Sequence, residues 1–504
     1  MPTPLIEMIG ITKRFGPLVA NDHVNLSVLP GEIVGLLGEN GAGKTTLMNI
    51  LFGAYAADEG TIRVEGRPAR IHNSAEALAA GIGMVHQHFL LAPRLTVMEN
   101  LLVGMPRQGL GLDISGARRR LDEIAREFGL RLDPDKRVSS LSVGEQQRLE
   151  IIKALFRGAR VLILDEPTAV LAPPDVEGLF AALRAIAARK LGIVFISHKL
   201  NEVRDITSRC VILRHGRVSG EIADPRRAST REIAEMMCGQ DIKPTLRPPV
   251  AKGAPLLVLD QVSTAGHPGT TLKDVSIVVR GGEILGLAGV SGNGQKALAD
   301  VVSGMLKPLS GQLTIASHRV RSFTAAEVQR LGLGRVPEDR LASGLVSNMS
   351  LAESMALPRI GEAPFSRADL LDRRGMMEFA ERQIKEYDIR CSGPEARTGT
   401  LSGGNLQKAL LARELAFDPK AVIVAQPTRG LDIAATRFVH EKFLALRAAG
   451  RAVLVISEDL DELMALSDRI AVIYEGRIAG VLDAEEATVT RLGMLMNGAF
   501  EKAA

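Results

Sequence analysis

A glycine-rich segment, GENGAGKTT, has the residue types that hold a chain of phosphates. Gly38, Gly43, Lys44 and Thr45 satisfy the pattern G-x-x-x-x-G-K-[ST], after a predicted strand and before a predicted helix. Glycines let backbone N–H groups close around phosphates, lysine adds positive charge, and the threonine hydroxyl is a ligand for Mg²⁺. The positive end of the helix faces the same anion. The segment therefore predicts a nucleotide site.

Two adjacent carboxylates, Asp165 and Glu166, end the apolar run VLILDEP. At a strand end, one carboxylate suits Mg²⁺ binding through water and the other suits activation of an attacking water. Alone, such a pair is as often an ordinary strand end, but beside a phosphate loop we interpret it as catalytic. Gln87 and His198 are weaker signals, because a loop glutamine is usually solvated and a lone histidine is usually structural.

The chain contains an internal repeat. GEIVGLLGENGAGKTTL pairs with GEILGLAGVSGNGQKAL, placing Gly38 and Gly289 251 residues apart, and Gln87 and Glu338 have the same separation. LSVGEQQ pairs with LSGGNLQ, VLILDEPT with VIVAQPT and VFISHK with LVISED, all at 260 residues. The pattern indicates a tandem duplication with a nine-residue insertion between Glu338 and Leu401. It predicts domains over 1–240 and 256–504, joined by a proline-rich linker over 241–255.

Short β-branched runs alternate with helical stretches within each copy. The first copy has predicted strands at Ile33–Leu37, Val161–Leu164, Gly192–Ile196 and Cys210–Leu213 and a predicted helix at Val176–Lys190. Apolar runs of this kind are typical of parallel strands buried under helices. The predicted fold class is therefore α/β, with two tandem P-loop domains.

The composition excludes several classes of protein. The 504 residues are 46% hydrophobic and 24% charged, with a net charge of +4, as expected for globular domains. The basic run Arg118–Arg120 is interpreted as a solvated helix face, and only 3% of residues are aromatic, so no nucleic-acid partner is predicted. Three cysteines without CxxC spacing predict neither disulfides nor zinc. We expect no signal peptide and no membrane span.

Together these motifs resemble the ATP-binding-cassette superfamily, in the form with two cassettes fused in one chain. GENGAGKTT is similar to the Walker A loop, Gln87 to the Q-loop, VLILDE to Walker B and His198 to the switch histidine. LSVGE and LSGGN resemble the two signature motifs. The resemblance covers nearly the whole chain. MVHQHF, RVPEDR and AQPTRGLD look like importers of simple sugars and nucleosides.

The resemblance implies that each domain has a RecA-like core, a helical subdomain and an antiparallel β subdomain. It also implies ATP and Mg²⁺ as ligands, with cassettes packed head to tail so that each ATP lies between the Walker residues of one and the signature of the other. Glu166 would be the catalytic base, assisted by His198 and Gln87, and Phe15 would stack on adenine. Mg²⁺ would be held by Thr45, Gln87 and Asp165. The other implied ATP-binding residues are Gly38, Glu39, Asn40, Gly41, Ala42, Gly43, Lys44, Thr45 and Thr46, with Ser402, Gly403, Gly404, Asn405 and Asp432 from the other half.

The two halves depart from this pattern in different places. The second half loses its Walker chemistry at Gly266, Gln295, Lys296, Glu338, Ala425, Gln426 and Glu458, which stand opposite Phe15, Lys44, Thr45, Gln87, Asp165, Glu166 and His198. The first half instead has a damaged signature, with Val143 and Glu145, and has Ala172 opposite Asp432. Sites formed head to tail would therefore be one competent and one degenerate.

As an importer subunit, the chain would dock on two integral membrane permease subunits at the cytoplasmic face of a bacterial inner membrane. The resemblance also implies a periplasmic or lipid-anchored binding protein that selects the solute, so no direct solute binding is expected here. Nucleosides are slightly favoured over sugars. The main alternative is a soluble twin-cassette translation factor, which the short linker and degenerate site disfavour. A DNA-repair cassette protein and a non-hydrolysing regulator are further alternatives.

Overall fold

The computed structural model describes residues 2–86, 89–105, 113–168, 171, 173–197, 199–239, 247–266, 271–290, 292–367 and 370–498. The chain divides into two compact parts, Met1–Lys243 and Pro244–Ala504, here named unit 1 and unit 2. Residues 241–246 of the predicted linker lie outside the described residues. The rest of it belongs to unit 2, since the Pro248 carbonyl accepts a hydrogen bond from Arg447 and Pro255 begins a strand.

Strands and helices alternate along unit 1. Its strands are β1 (Ile6–Phe15), β2 (Leu18–Val28), β3 (Ile33–Leu37), β4 (Glu59–Val64), β5 (Arg67–Ala69), β6 (Ile82–Val85), β7 (Val161–Asp165), β8 (Gly192–Ile196), β9 (Arg209–Arg214) and β10 (Arg217–Ile222). Its α-helices are α1 (Lys44–Leu51), α2 (Ser74–Ala79), α3 (Val97–Leu102), α4 (Ile114–Phe128), α5 (Val143–Phe156), α6 (Pro173–Ala188), α7 (Leu200–Ile206) and α8 (Thr230–Cys238).

Two sheets make up the framework of unit 1. The order β2-β1-β4-β5 forms an antiparallel sheet, and the order β10-β9-β3-β8-β7-β6 forms a second sheet that is parallel except for β10. Buried side chains of both sheets and of α1 form one core, to which Met8, Val34, Leu47 and Ile163 belong. Parallel strands end at the same sheet edge, so the segments that follow β3 and β7 lie at one edge.

Unit 2 repeats this order of elements. Its strands are β11 (Pro255–Ser263), β12 (Val275–Arg280), β13 (Glu283–Ala288), β14 (Ser310–Ile315), β15 (His318–Arg319), β16 (Leu333–Val336), β17 (Ser366–Arg367), β18 (Leu370–Leu371), β19 (Ala421–Ala425), β20 (Ala452–Ile456), β21 (Arg469–Tyr474) and β22 (Arg477–Asp483). Its α-helices are α9 (Gln295–Val302), α10 (Ala325–Arg330), α11 (Leu351–Ala356), α12 (Arg373–Glu386), α13 (Gly403–Leu415), α14 (Ile433–Ala448), α15 (Leu460–Leu466) and α16 (Val489–Met496).

The sheet topology confirms two α/β domains of one design. Unit 2 has an antiparallel sheet, β12-β11-β14-β15, and a mainly parallel sheet, β16-β19-β20-β13-β21-β22, in the same spatial order as unit 1. The small hairpin β17–β18 lies within the interval to which the insertion was assigned. Within unit 1, helices α3–α5 pack on one another as a helical layer. Within unit 2, helices α11–α13 form a layer of the same kind. Among the described residues, no helix is long and apolar enough to cross a membrane.

Candidate nucleotide site

The phosphate loop of unit 1 runs from the end of buried β3 to the start of α1. Gly38, Gly41 and Gly43 have φ of 146°, 82° and 100°, a region that favours glycine. A Cβ on Gly38 would lie 2.3 Å from the Leu213 carbonyl oxygen, and one on Gly43 would lie 2.3 Å from that of Ala20. Side chains are therefore excluded at both ends of the loop by backbone atoms that cannot move independently.

The Lys44 side chain hydrogen-bonds to the backbone of the phosphate loop to which it belongs. Its Nζ donates to the carbonyl oxygens of Gly38 at 2.7 Å and Glu39 at 2.9 Å. Lys44 is also the first residue of α1, which has no acidic residue in its first turn and no side chain capping it. The loop therefore combines a positive charge with an N-terminal helix end open to an anion.

The sequence-predicted phosphate residues are brought together as one segment. Glu39 and Asn40 form the turn, Ala42 is buried with its N–H on the Glu39 carbonyl, and Thr45 and Thr46 stand in the first turn of α1. The described residues leave out Gln87 and His198, so their predicted roles remain predictions. Ser402, Gly403, Gly404, Asn405 and Asp432 all lie in unit 2.

The two carboxylates lie at the end of β7. Burial, followed by the adjacent Glu166 charge, raises the pKa of Asp165 to about 6, and Lys44 acts in the opposite direction. Glu166 has φ of 48°, rare for a residue with a side chain, and its N–H donates to the Ile196 carbonyl at 2.9 Å. A half-buried acid pair beside a phosphate loop favours a cation that would offset its charge.

The residues fit Mg²⁺ held partly by a nucleotide. Mg²⁺ is usually bound by one or two carboxylates, substrate phosphates and water, and Asp165 with the Thr45 hydroxyl would supply the protein part of such a set. In the described part of the chain, no cluster of three His, Cys, Asp or Glu could hold a metal by itself. When bound, the ion neutralises charge on the β- and γ-phosphates.

Because the pKa of Asp165 is raised, we expect the Asp165→Asn variant to be more thermostable than the parent in the absence of nucleotide and Mg²⁺. The folded parent binds more protons than the unfolded chain between pH 3.8 and about 6, so its stability falls as pH rises through that window. The amide removes this dependence. Thermal midpoints in chelator should differ most above pH 6 and least near pH 4. A variant less stable at pH 8 would contradict the assigned burial.

Phe15, at the end of β1, and Tyr55, in the segment between α1 and β4, form an aromatic pair in unit 1. Phe15 ends β1 with 42% of its surface exposed, and its ring centroid lies 5.5 Å from that of Tyr55 at 79°. Lys13 Nζ lies 5.5 Å from the centre of the Phe15 ring. Opposite Phe15, unit 2 has Gly266. Tyr55 was not predicted, because no local pattern links it to Phe15.

The phosphate loop of unit 2 keeps the positive φ of two glycines, 89° at Gly292 and 110° at Gly294, but its lysine is displaced by one residue to Lys296. Gln295 stands in the place of Lys44, and its Nε2 donates to the Val290 carbonyl at 2.8 Å while its Oε1 accepts from Asn293 N–H at 3.1 Å. Gln426 has φ of 48°, as Glu166 does, and its N–H donates to the Ile456 carbonyl at 2.8 Å. Unit 2 therefore keeps the backbone conformation that follows this strand in unit 1, with glutamine in place of the glutamate.

The signature helix of unit 1 is capped by its own side chains. Ser142 Oγ accepts from Glu145 N–H at 3.2 Å, and Glu145 Oε2 accepts from Ser142 N–H at 2.8 Å, which is a capping box before α5. Lys136 Nζ lies 2.9 Å from Glu145 Oε1. Glu145 is thus a paired carboxylate that caps the N-terminus of α5.

The signature helix of unit 2 is open at the same point. Ser402 precedes α13 and makes no capping hydrogen bond to its backbone. Its Oγ instead accepts from Asn405 Nδ2 at 2.8 Å, and Asn405 Oδ1 accepts from Arg390 N–H at 2.8 Å. Asp432 accepts from Ala435 N–H at 2.8 Å at the start of α14. The backbone N–H groups at the N-terminus of α13 are therefore not capped by a carboxylate of their own helix.

Comparison with known proteins decides the family. Residues 21–169 and 272–429 each match the model of the ABC transporter family. The chain belongs to the ABC transporter family. The matched ranges contain the phosphate loop and carboxylates of unit 1 and their counterparts in unit 2, so the twin-cassette prediction is confirmed. ABC transporter ATP-binding proteins are ATPases, and the chain is an enzyme of that class.

Several relatives are similar to the chain over nearly its whole length. The nucleoside import ATP-binding protein NupA of Lactococcus lactis is 40% identical over 497 residues, covering 98% of both chains. The guanosine import ATP-binding protein NupO of Bacillus subtilis is 41% identical over 503 residues, covering 99% of this chain and 98% of its own. A ribose import ATP-binding protein of Rubrobacter xylanophilus is 40% identical over 501 residues, covering 99% of both.

Two solved structures share the fold over nearly the whole chain. The structure described as RNase-L Inhibitor has a TM-score of 0.63 at 19% identity and covers 94% of this chain and 90% of its own. An archaeal ribosome recycling factor has a TM-score of 0.62 at 18% identity with the same coverage. At these identities the likeness concerns architecture alone.

Proposed function

We propose that the chain is the ATP-hydrolysing subunit of an importer for a nucleoside or a simple sugar. The observation that carries the proposal is the asymmetry of its two cassettes. Unit 1 has Lys44 in its phosphate loop and two carboxylates but a capped signature helix, whereas unit 2 has glutamine in place of that lysine and an open signature helix. Full-length similarity to import ATP-binding proteins supports the transport role.

In the proposed reaction, unit 1 performs the chemistry. Lys44 and the N-terminus of α1 meet the phosphate charge, and Asp165 with Thr45 would hold Mg²⁺. Glu166 accepts a proton from the water that attacks the γ-phosphate, which is general-base catalysis. Gln87 and His198 would complete this set, as the resemblance implies. Adenine would stack on Phe15.

Unit 2 would complete the competent site rather than form its own. Ser402, Gly403, Gly404 and Asn405 would meet the γ-phosphate with a second helix N-terminus, and Asp432 would stand beside them. The same packing would pair the unit 2 loop, which has Gln295 in place of Lys44, with the capped helix α5. Ala425 and Gln426 offer neither a carboxylate for Mg²⁺ nor a base for water, so we expect no hydrolysis there.

The proposed partners follow from the transport role. The chain would act as a peripheral subunit on the cytoplasmic face of the bacterial inner membrane, coupled to two permease subunits. A periplasmic or lipid-anchored binding protein would select the solute. Nucleosides are favoured because two similar relatives are named for nucleoside and guanosine import, and ribose import by another keeps sugars as the second class.

Copurification tests this proposal directly. The tagged chain would be isolated from detergent-solubilised native membranes, and its partners identified by mass spectrometry. We expect integral permeases and a binding protein, which could then be titrated with nucleosides and sugars. Recovery of ribosomes, or of no membrane protein, would contradict the transport role and favour the soluble twin-cassette alternative.

A further inference from the structure

Arg340 joins three segments of unit 2 through its guanidinium. It lies four residues after β16, in the RVPEDR motif. Its Nε donates to Gln407 Oε1 on α13 at 2.7 Å, and its Nη2 donates to the Arg429 carbonyl at 2.6 Å, in the loop that leads to Asp432. One side chain therefore ties the signature helix to the loop before α14.

The same guanidinium approaches the first residue of the signature helix. Arg340 Nη1 lies 3.6 Å from the point where a Cβ on Gly403 would be. Arg429 in turn forms an ion pair with Glu338 through its own side chain. We name Glu338, Arg340, Gln407 and Arg429 the Arg340 bridge. Since the Glu338–Arg429 pair is half exposed, most of the restraint in this bridge comes from Arg340.

Burial makes the contacts of the Arg340 bridge specific. Gln407 is 1% exposed, and within the described residues its Nε2 has no hydrogen-bond partner, so its amide is oriented through the oxygen that Arg340 contacts. Burial, followed by the nearby Arg429 charge, lowers the pKa of Arg340. A guanidinium held there at a desolvation cost must keep its hydrogen bonds, which fixes its geometry.

Unit 1 has no counterpart of this side chain. Phe89 stands opposite Arg340 and has no polar atom, although Gln147 stands opposite Gln407. Ala172 stands opposite Asp432. The guanidinium therefore occurs in the unit whose signature helix is open and whose Asp432 is present.

We propose that Arg340 is a positioning residue for ATP hydrolysis, which sets the N-terminus of α13 relative to the loop that carries Asp432. Ser402, Gly403 and Asp432 would then be presented to the γ-phosphate as one rigid group. The role rests on the proposed function, in which unit 2 completes the competent site. Arg340 acts through these residues and need not contact ATP.

The test uses the Arg340→Met variant in the assembled transporter. We expect kcat for ATP to fall between about 10-fold and 100-fold, because small displacements of positioned groups have effects of this size. KM for ATP and the thermal midpoint should change little. Arg340→Lys should fall between the parent and Arg340→Met, because an ammonium replaces only part of the fork of hydrogen bonds. Arg374→Met, on an exposed pair of α12, is the matched control and should match the parent.

A double-mutant cycle with Ser402→Ala separates positioning from a general loss of folding. Arg340→Met should lower kcat much less in the Ser402→Ala background than in the parent, because the misplaced hydroxyl is already absent. If Arg340→Met lowers the thermal midpoint, Gln407→Met provides the same test with the guanidinium in place, and we expect it also to lower kcat.

Three results would overturn this inference. They are full kcat in both Arg340→Met and Gln407→Met, full additivity with Ser402→Ala, or an equal loss in Arg374→Met. If Ser402→Ala lowers kcat while Arg340→Met does not, the proposed function stands and only the positioning role is wrong. If Ser402→Ala itself does not lower kcat, the part of the proposed function in which unit 2 completes the competent site is wrong.

Discussion

Replacing Glu166 with glutamine should lower ATP turnover of the assembled transporter about 10³-fold, which is within the range expected for loss of a general base. Glutamine has nearly the same shape but cannot accept a proton from the attacking water. The variant should fold, because Gln426 already holds a glutamine at φ of 48° in the same place of unit 2. ATP should still bind, since Lys44 and the phosphate loop are unchanged.

Phosphate release and nucleotide binding are measured on the same preparation. Gln426→Glu is the control, and alone it should add no activity, because the loop beside it has Gln295 in place of lysine and Ala425 in place of aspartate. A Glu166→Gln variant that keeps a tenth of parental turnover would show that another group is the base.

The second large effect distinguishes the two signature serines. Ser402→Ala should lower turnover about 10²-fold, as loss of one donor to transition-state charge does elsewhere. Ser142→Ala should leave turnover close to parental. For stability, the Ser142→Ala variant should have the larger effect. Ser142 caps α5, so its replacement should lower the free energy of unfolding by about 1 kcal/mol. Ser402 makes no such bond to the backbone, so its loss should change stability less.

Each serine variant therefore serves as the control for the other. Turnover is measured in the assembled transporter, and unfolding is followed on the isolated chain with denaturant. Equal loss of turnover in both variants would contradict the asymmetric assignment. Equal loss of stability would contradict the difference in capping.

Much of the fold could be predicted from local patterns. Predicted strands Ile33–Leu37 and Gly192–Ile196 coincide with β3 and β8, because apolar β-branched runs between turn residues are strong signals. The phosphate loop was equally predictable, since its glycines are required by φ and by nearby carbonyl oxygens. Predicted helix Val176–Lys190 begins three residues earlier, at Pro173, and ends at Ala188.

Features that depend on distant contacts were not predictable. Glu145 pairs with Lys136, nine residues away, and no local pattern indicates this partner. The capping box of Ser142 and Glu145 is, in contrast, a local feature that their spacing alone predicts. Arg340 contacts residues 67 and 89 positions away, and no local pattern indicates such partners.

We propose that each chain hydrolyses ATP at one site. Counting the ADP that vanadate traps per chain in the assembled transporter would distinguish one active site from two. We expect one ADP per chain in the parent and none in Lys44→Ala. Two ADP per chain, or one that persists in Lys44→Ala, would show that unit 2 hydrolyses ATP and would contradict the assignment.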